Sequence, residues 1–287
     1  MSSLLADFIA DHERIFVLTG AGVSTASGIP DYRDDSGDWK HQKPIEYRDF
    51  VDRHQARQRY WARSFVGWQR FCRARPNQAH QALARLEQLN RLARTVTQNV
   101  DGLHQRAGSR QVTELHGSLA TVVCLGCGAS IARAAMQQQL RERNPVLASL
   151  SASLAPDGDA SLYDFDENGI EIPNCTVCSG VLKPQVVFFG ETVPTHRVQE
   201  SFAALTTADA MLVVGSSLML YSGFRFVREA QRSGIPVAAI NRGKTRADEL
   251  LKLKIKLDCG AALNSALSQI DPEFDCSAKL ECDAVPK

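Results

Sequence analysis

The chain has 287 residues, 44% hydrophobic and 23% charged. That is the composition of a globular protein able to bury a sizeable core, so a disordered chain and a short disulfide-stapled scaffold are excluded. Lys and Arg number 33 against 32 Asp and Glu, a formal charge of +1, so no global field gathers nucleic acid or an anionic membrane.

The N-terminal stretch reaches IFVLT at 15–19 with no basic leader or cleavage motif, and the chain reads as cytoplasmic. Short β-branched runs at 15–20, 93–99, 184–190, 210–217 and 235–241 are each followed by a turn and a helix-like segment. This alternation predicts an α/β fold, a parallel sheet covered by helices on both faces. Helical composition over 46–72 and 77–90, divided by Pro76, predicts two helices, the first within an insertion of about 40–76. The run at 208–220 is interrupted by Gly215, Ser216 and Ser217 and falls short of the ~18 apolar residues of a spanning helix. A second, small module is expected over 121–182, with a helix near 131–143, which leaves 1–120 and 183–271 to the sheet domain. No Lys or Arg occurs between Arg143 and Lys183, which fits an acidic lip or a solvated surface loop. The tail over 272–287, with Cys276 and Cys282, shows no periodicity and is expected to fray.

Gly20, Ala21 and Gly22 follow the first strand and offer bare backbone for a pyrophosphate near a helix N-terminus. Thr25 stands where the third glycine of GxGxxG belongs, and a GxG after a strand is also an ordinary turn. TQNVDG puts Gln98, Asn99 and Asp101 at another strand end, suited to ribose hydroxyls and a carboxamide or to capping a helix. His116, beside Gly117, is a candidate general base or a structural histidine. Gly215, Ser216 and Ser217 make a second phosphate-friendly turn, and Asn241 stands at the strand end where dinucleotide sheets carry an acid. Cys124, Cys127, Cys175 and Cys178 form two CxxC pairs in one module, the donor set of a closed tetrahedral zinc site, with a redox pair as the rival.

GAGVSTASGIPDYR, TQNVDGLH, ELHG, the two CxxC pairs, KPQVVFFGE, VVGSSL and Asn241 together resemble the sirtuin family of NAD-dependent protein deacylases, over about residues 11–271. PDYR, RYWARSFVGW and LAPDGD make the chain similar to the class II subgroup, bacterial relatives of the fourth mammalian, mitochondrial sirtuin. The resemblance implies a Rossmann-like NAD-binding domain, a small zinc-ribbon module with one structural zinc, and acylated-lysine proteins as partners, with no nucleic acid or membrane. It implies a reaction in which the acyl oxygen attacks the nicotinamide ribose, nicotinamide leaves, and His116 takes a proton from a ribose hydroxyl on the way to O-acyl-ADP-ribose. Asn99 and Asp101 would serve the nicotinamide pocket. Gln98 and Arg33 would contact ribose and phosphate, Tyr32 would shield the cationic sugar from water, Ser24 and Asp31 would join the cofactor site, and Asn241, Arg242, Gly243 and Cys259 the adenosine end. Val187, Phe188, Phe189, Gly190, Glu191 and Leu218 would hold the substrate backbone. Tyr60 and Arg63, three apart on a helix, resemble the pair that succinyl- and glutaryl-specific sirtuins use, so acidic acyl groups are expected, with branched or lipoyl groups as alternatives. The same scaffold also allows ADP-ribosyl transfer. A nicotinamide dehydrogenase would share the sheet but has no use for four zinc-ligand cysteines, and a zinc-ribbon nucleic-acid binder would carry a basic rather than an acidic module.

Overall fold

The computed structural model describes residues 2–40, 44–150, 153, 154, 156–162, 165, 166 and 169–274. In chain order its elements are α1 (Ser2–Ala10), β1 (Ile15–Thr19), α2 (Tyr47–Asp52), α3 (His54–Phe71), α4 (Gln78–Gln88) and β2 (Leu92–Thr97). Then come α5 (Leu103–Arg106), β3 (Val112–Glu114), β4 (Gly117–Cys124), β5 (Ser130–Ala132), α6 (Arg133–Arg143), β6 (Ser153–Leu154), β7 (Ala160–Ser161) and β8 (Leu182–Val186). The chain closes with α7 (Thr195–Thr206), β9 (Ala210–Val214), α8 (Tyr221–Arg232), β10 (Val237–Ile240), β11 (Leu253–Ile255) and α9 (Cys259–Ile270).

The main sheet is parallel throughout and ordered β11-β10-β9-β1-β2-β3. Its central strands β1, β9 and β10 are buried at every position, as strands covered on both faces must be. Side chains alternate: Ile15 and Val17 join α1, α4 and α9 in one core, while Phe16 and Leu18 join α7 and α8 in the other. From β1 the chain runs outward to β2 and β3, and from β9 the other way to β10 and β11. The switch point therefore lies between β1 and β9, and a crevice opens beyond their carboxyl ends.

The run at 184–190 departs from the expectation of a main-sheet strand. Its first residues lie in β8, antiparallel to β4 in a separate sheet ordered β5-β4-β8. A strand buried on both sides has the same composition whichever sheet it joins. β1 is also not followed by an α-helix: the chain makes 3-10 turns at Ala21–Val23 and Thr25–Ser27, so no helix N-terminus stands at the first glycine turn. The tail expectation at 275–287, with Cys276 and Cys282, lies outside the described residues. No helix among the described residues is long and apolar enough to cross a membrane.

The helical insertion packs on the cysteine module. Trp61, Ala62, Phe65 and Val66 of α3 share one core with Val122 and Cys124 of β4, Met136 and Leu140 of α6, and Leu182. Arg133, fully buried, spans the joint: its Nη1 donates to Gln137 at 2.7 Å, its Nη2 to the Ser64 carbonyl at 3.1 Å, and its guanidinium lies over Trp68 at 4.9 Å. Trp61 is fully buried at the centre of this core. Trp61→Ala is expected to cost about 3–5 kcal/mol, the range for deleting a buried aromatic, read as a lowered urea midpoint.

Candidate active site and metal centre

The crevice holds a cavity of about 1340 Å³, beyond the roughly 300–1,000 Å³ of single-ligand sites. Two bare turns form its floor. Gly22 N–H donates to the Gly215 carbonyl at 2.8 Å, and Gly20 N–H to the Val214 carbonyl at 3.1 Å. A Cβ on Gly22 would stand 2.9 Å from Gly215 Cα, and Gly215 has φ +63, so these glycines first let the two turns touch and only then expose backbone to a ligand. The turn after β1 is anchored from behind: Asn77 caps α4 while its Nδ2 donates to the Val23 carbonyl and to Ser27, both at 2.9 Å.

Every cofactor and substrate residue named from the sequence lines this cavity except Ser24 and Asp101. Those two stand one layer behind Asn99. Ser24 Oγ donates to Asp101 Oδ2 at 2.7 Å and accepts from Asn99 Nδ2 at 3.0 Å, which aims the Asn99 amide. Asp101 Oδ1 also accepts from the Leu103 N–H at the start of α5 at 2.9 Å, and burial raises its carboxyl above the ordinary range. Gln98 accepts from Ser216 at 2.6 Å. At the roof, Tyr32, Trp39 and Phe189 meet edge to face at centroid distances of 5.7–6.3 Å. Arg33 lies over Trp39 at 4.2 Å and donates to the Gly37 carbonyl at 2.7 Å, while Asp31 pairs with Lys40 at 2.6 Å. At the far end Asn241 Nδ2 donates to the Gly243 carbonyl at 3.0 Å, and Arg242 pairs with Asp258, which caps α9 just before Cys259. Burial pushes the Cys259 thiol up to about 12, so it is a neutral packing group.

His116 stands between the glycine turns and the 187–191 segment. Its Nδ1 lies 2.9 Å from the Gln98 carbonyl, which can only accept, so Nδ1 carries the proton and Nε2 is the bare nitrogen. Nε2 accepts from the Ser222 hydroxyl at 3.0 Å. Burial of the ring pushes His116 down to about 4, with the Arg197 and Arg225 cations acting in the same direction. It is therefore neutral at pH 7, with the Nε2 lone pair able to accept a hydrogen bond. Ser222, Trp39 and Arg225 line the cavity too, and nothing local to them in the sequence marks a site; Asp159, the last residue of LAPDGD, also lines it.

Behind the floor lie two more histidines. His104 Nε2 and Thr19 are hydrogen-bonded at 2.9 Å, and Thr19 donates on to Thr97 at 2.8 Å. His80 and His104 are ring neighbours at 4.8 Å. Burial drives His104 down to about 4 and His80 well below its ordinary value.

The four cysteines of the CxxC pairs converge, with all sulfur atoms within 4.8 Å of one another. Cys124 and Cys178 lie 3.5 Å apart and Cys127 and Cys175 3.7 Å. Ligands at ~2.3 Å on a tetrahedral zinc stand at about these separations, and the thiolate set is the one zinc prefers. Gly126 N–H points at Cys124 Sγ at 3.3 Å, which favours the thiolate. All four positions come from protein, a closed structural site with no place for water.

A family model described as the Sir2 family matches residues 20–222. The chain belongs to the Sir2 family. The NAD-dependent protein deacetylase 2 of Bradyrhizobium diazoefficiens is 56% identical over 259 residues, 90% of this chain and 95% of that protein. The NAD-dependent protein deacetylase of Bordetella bronchiseptica is 55% identical over 264 residues, 92% and 96% of the two chains. Among solved structures, a Sir2 enzyme with a p53 peptide and NAD+ matches at TM-score 0.75 and 27% identity, covering 95% of this chain and 100% of that one. One bound to a propionylated peptide matches at TM-score 0.73 and 28% identity, covering 93% and 97%.

Two outcomes follow from this Sir2-family site. Metal binding and folding are coupled, so Cys175→Ser is expected to yield zinc-free, insoluble or inactive protein, although Cys175 is remote from His116; metal analysis and activity check it. The buried histidines make stability depend on pH. The unfolded chain takes up their protons near pH 6.5 and the folded chain only near 4 for His104 and His116. Stability is therefore full above 6.5 and falls as pH drops towards 4, by up to about 1.4 kcal/mol per pH unit for each such group. Urea midpoints at pH 7 and pH 5 read the fall, and His104→Gln should make it shallower.

Proposed function

We propose that this chain is an NAD-dependent protein-lysine deacylase that transfers the acyl group to ADP-ribose, releasing nicotinamide and free lysine. The observation that carries the reading is the bare Nε2 of a neutral His116 facing the cavity between the glycine turns and the 187–191 segment. NAD as co-substrate supplies the ribose carbon that the acyl oxygen attacks and the hydroxyl that afterwards attacks the acyl carbon. One water is consumed in releasing the free lysine, and the binding, orientation and proton transfer fall to the chain. The turns at Gly20–Gly22 and Gly215–Ser217 and the Arg33 cation suit the phosphates, and the cavity is large enough for two co-substrates. Asn99, aimed by Ser24 and Asp101, faces the carboxamide. Tyr32, Trp39 and Phe189 keep water from the cationic sugar. Phe189 is bridged to Glu46 on one side, and the 187–191 segment with Leu218 offers edges that a substrate backbone can join. His116 Nε2 exchanges Ser222 for a ribose hydroxyl and accepts its proton, so catalysis is positioning plus one proton transfer. Zinc has no part in the chemistry and holds the module that carries one wall. The reading places the enzyme in the cytoplasm, where reduced thiols remain free to hold the metal.

His116→Ala is expected to retain NAD binding and the fold while losing at least ~100-fold in deacylation, the lower range for removing a general base. Nicotinamide release from NAD and an acyl-lysine peptide measures it. Near-normal turnover in the variant would end the assignment, and NADH in place of nicotinamide would mark a dehydrogenase.

A further inference from the structure

Tyr60 and Arg63 line the cavity from α3, as their spacing implies, but the guanidinium that would receive an acyl carboxylate already holds one. Arg63 Nε donates to Asp159 Oδ1 at 3.0 Å and Arg63 Nη2 to Oδ2 at 2.8 Å, a two-pronged pair of the kind that gives Arg its selectivity for carboxylates. The Ala160 carbonyl accepts from the same Nε at 2.8 Å, and the Ala160 N–H returns a bond to Asp159 Oδ1 at 2.8 Å. The segment that delivers Asp159 is docked on the same helix independently of this pair. Gly158 lies against Gly67 of α3 so closely that a Cβ on Gly67 would stand 2.2 Å from the Gly158 carbonyl oxygen. Both Pro156 and Asp159 are thereby built into the cavity wall beside Arg59, Tyr60 and Arg63.

We propose that Asp159 is a specificity-determining residue for the acyl group: it fills the Arg63 fork with the chain's own carboxylate, so the pocket takes neutral acyl groups and turns acidic ones away. This rests on the deacylase reading above. A succinyl or glutaryl carboxylate arriving here must either expel Asp159, leaving that carboxylate without its cation, or lie beside a like charge. A neutral chain meets neither obstacle. It finds the Tyr60 phenol, kept un-ionised by burial, and the Phe188 ring 5.2 Å from Tyr60. Tyr-x-x-Arg on a helix therefore does not by itself specify an acid-binding pocket; the third residue, supplied from far along the chain, sets the sign.

The test uses the zinc-loaded full chain and one peptide carrying acetyl-, hexanoyl- or glutaryl-lysine, with nicotinamide release giving kcat/KM for each. Wild type should favour both neutral acyl groups over glutaryl. Asp159→Asn and Asp159→Ala should raise the glutaryl-to-acetyl ratio at least ~10-fold, the factor that goes with a charge-assisted hydrogen bond, and adding Arg63→Met should cancel the rise. The ratio is taken within each variant, so a general loss of activity drops out. A wild type that prefers glutaryl, or an unchanged ratio in both Asp159 variants, overturns the proposal. If wild type turns over none of the peptides, the deacylase reading fails on its own, and calorimetric binding of the glutaryl peptide decides the point about Asp159: tighter binding to Asp159→Ala than to wild type supports it, and equal binding overturns it.

Discussion

Two turns of bare backbone meet at the centre of this molecule, and the rest is arranged around that contact. Gly22 and Gly215 stand in the turns that follow adjacent strands from which the sheet is built in opposite directions, and the close approach at the hydrogen bond between them requires that neither carry a side chain. The floor of the cavity, the placing of Gln98 against Ser216, and the aim of Asn99 through Ser24 all depend on the closeness of those strand ends. A single added methyl at Gly22 would push against main chain, which has nowhere to move without displacing β1 or β9.

Behind this contact the chain spends polar groups where a parallel sheet ordinarily packs hydrocarbon. Thr19, Thr97, His80, His104, Ser24, Asn99 and Asp101 form a hydrogen-bonded set under the floor, its two halves joined by the Asn99 N–H to Thr97 bond at 3.1 Å. Buried polar networks of this kind add rigidity when their members are satisfied. Here the satisfied part of the set, Ser24, Asn99 and Asp101, applies that rigidity where one amide must hold a fixed direction. His116 owes its state to the same economy of contacts: one main-chain carbonyl settles its tautomer, and surrounding protein with two nearby cations keeps it neutral.

Much of the architecture was legible in the sequence because buried parallel strands and CxxC knuckles leave local marks. The runs at 15–20, 93–99, 210–217 and 235–241 became β1, β2, β9 and β10, and the two cysteine pairs converge across the long segment between them. What was not legible is what depends on distant partners. The 184–190 run reads as a main-sheet strand because composition reports burial and not which sheet provides it. β11 is three residues long and leaves no period to detect. Ser24 and Asp101 carry the residue types of ligand contacts yet work one layer back, since a hydroxyl and a carboxylate can as well orient an amide as touch a ligand. The occupant of the Arg63 fork, Asp159, lies nearly a hundred residues away, and the LAPDGD motif that contains it marks a subgroup without showing which side chain its carboxylate meets.

The order of the strands also bears on how the protein is made. Ile15 is paired with Ala210, so the two central strands are separated by most of the chain, with the helical insertion and the whole cysteine module emerging between them during synthesis. Local structure such as α3, α6 and the metal knuckles can form while β1 still lacks its neighbour, but closing so long a loop is slow and exposes an apolar edge in the meantime. A nascent chain halted before Ala210 would hold half of a nucleotide floor and one uncovered side of β1, the kind of edge that pairs with the wrong strand. The site is thus among the last features of the molecule to exist, completed only when β9 has docked and β10 and the start of α9 have followed it.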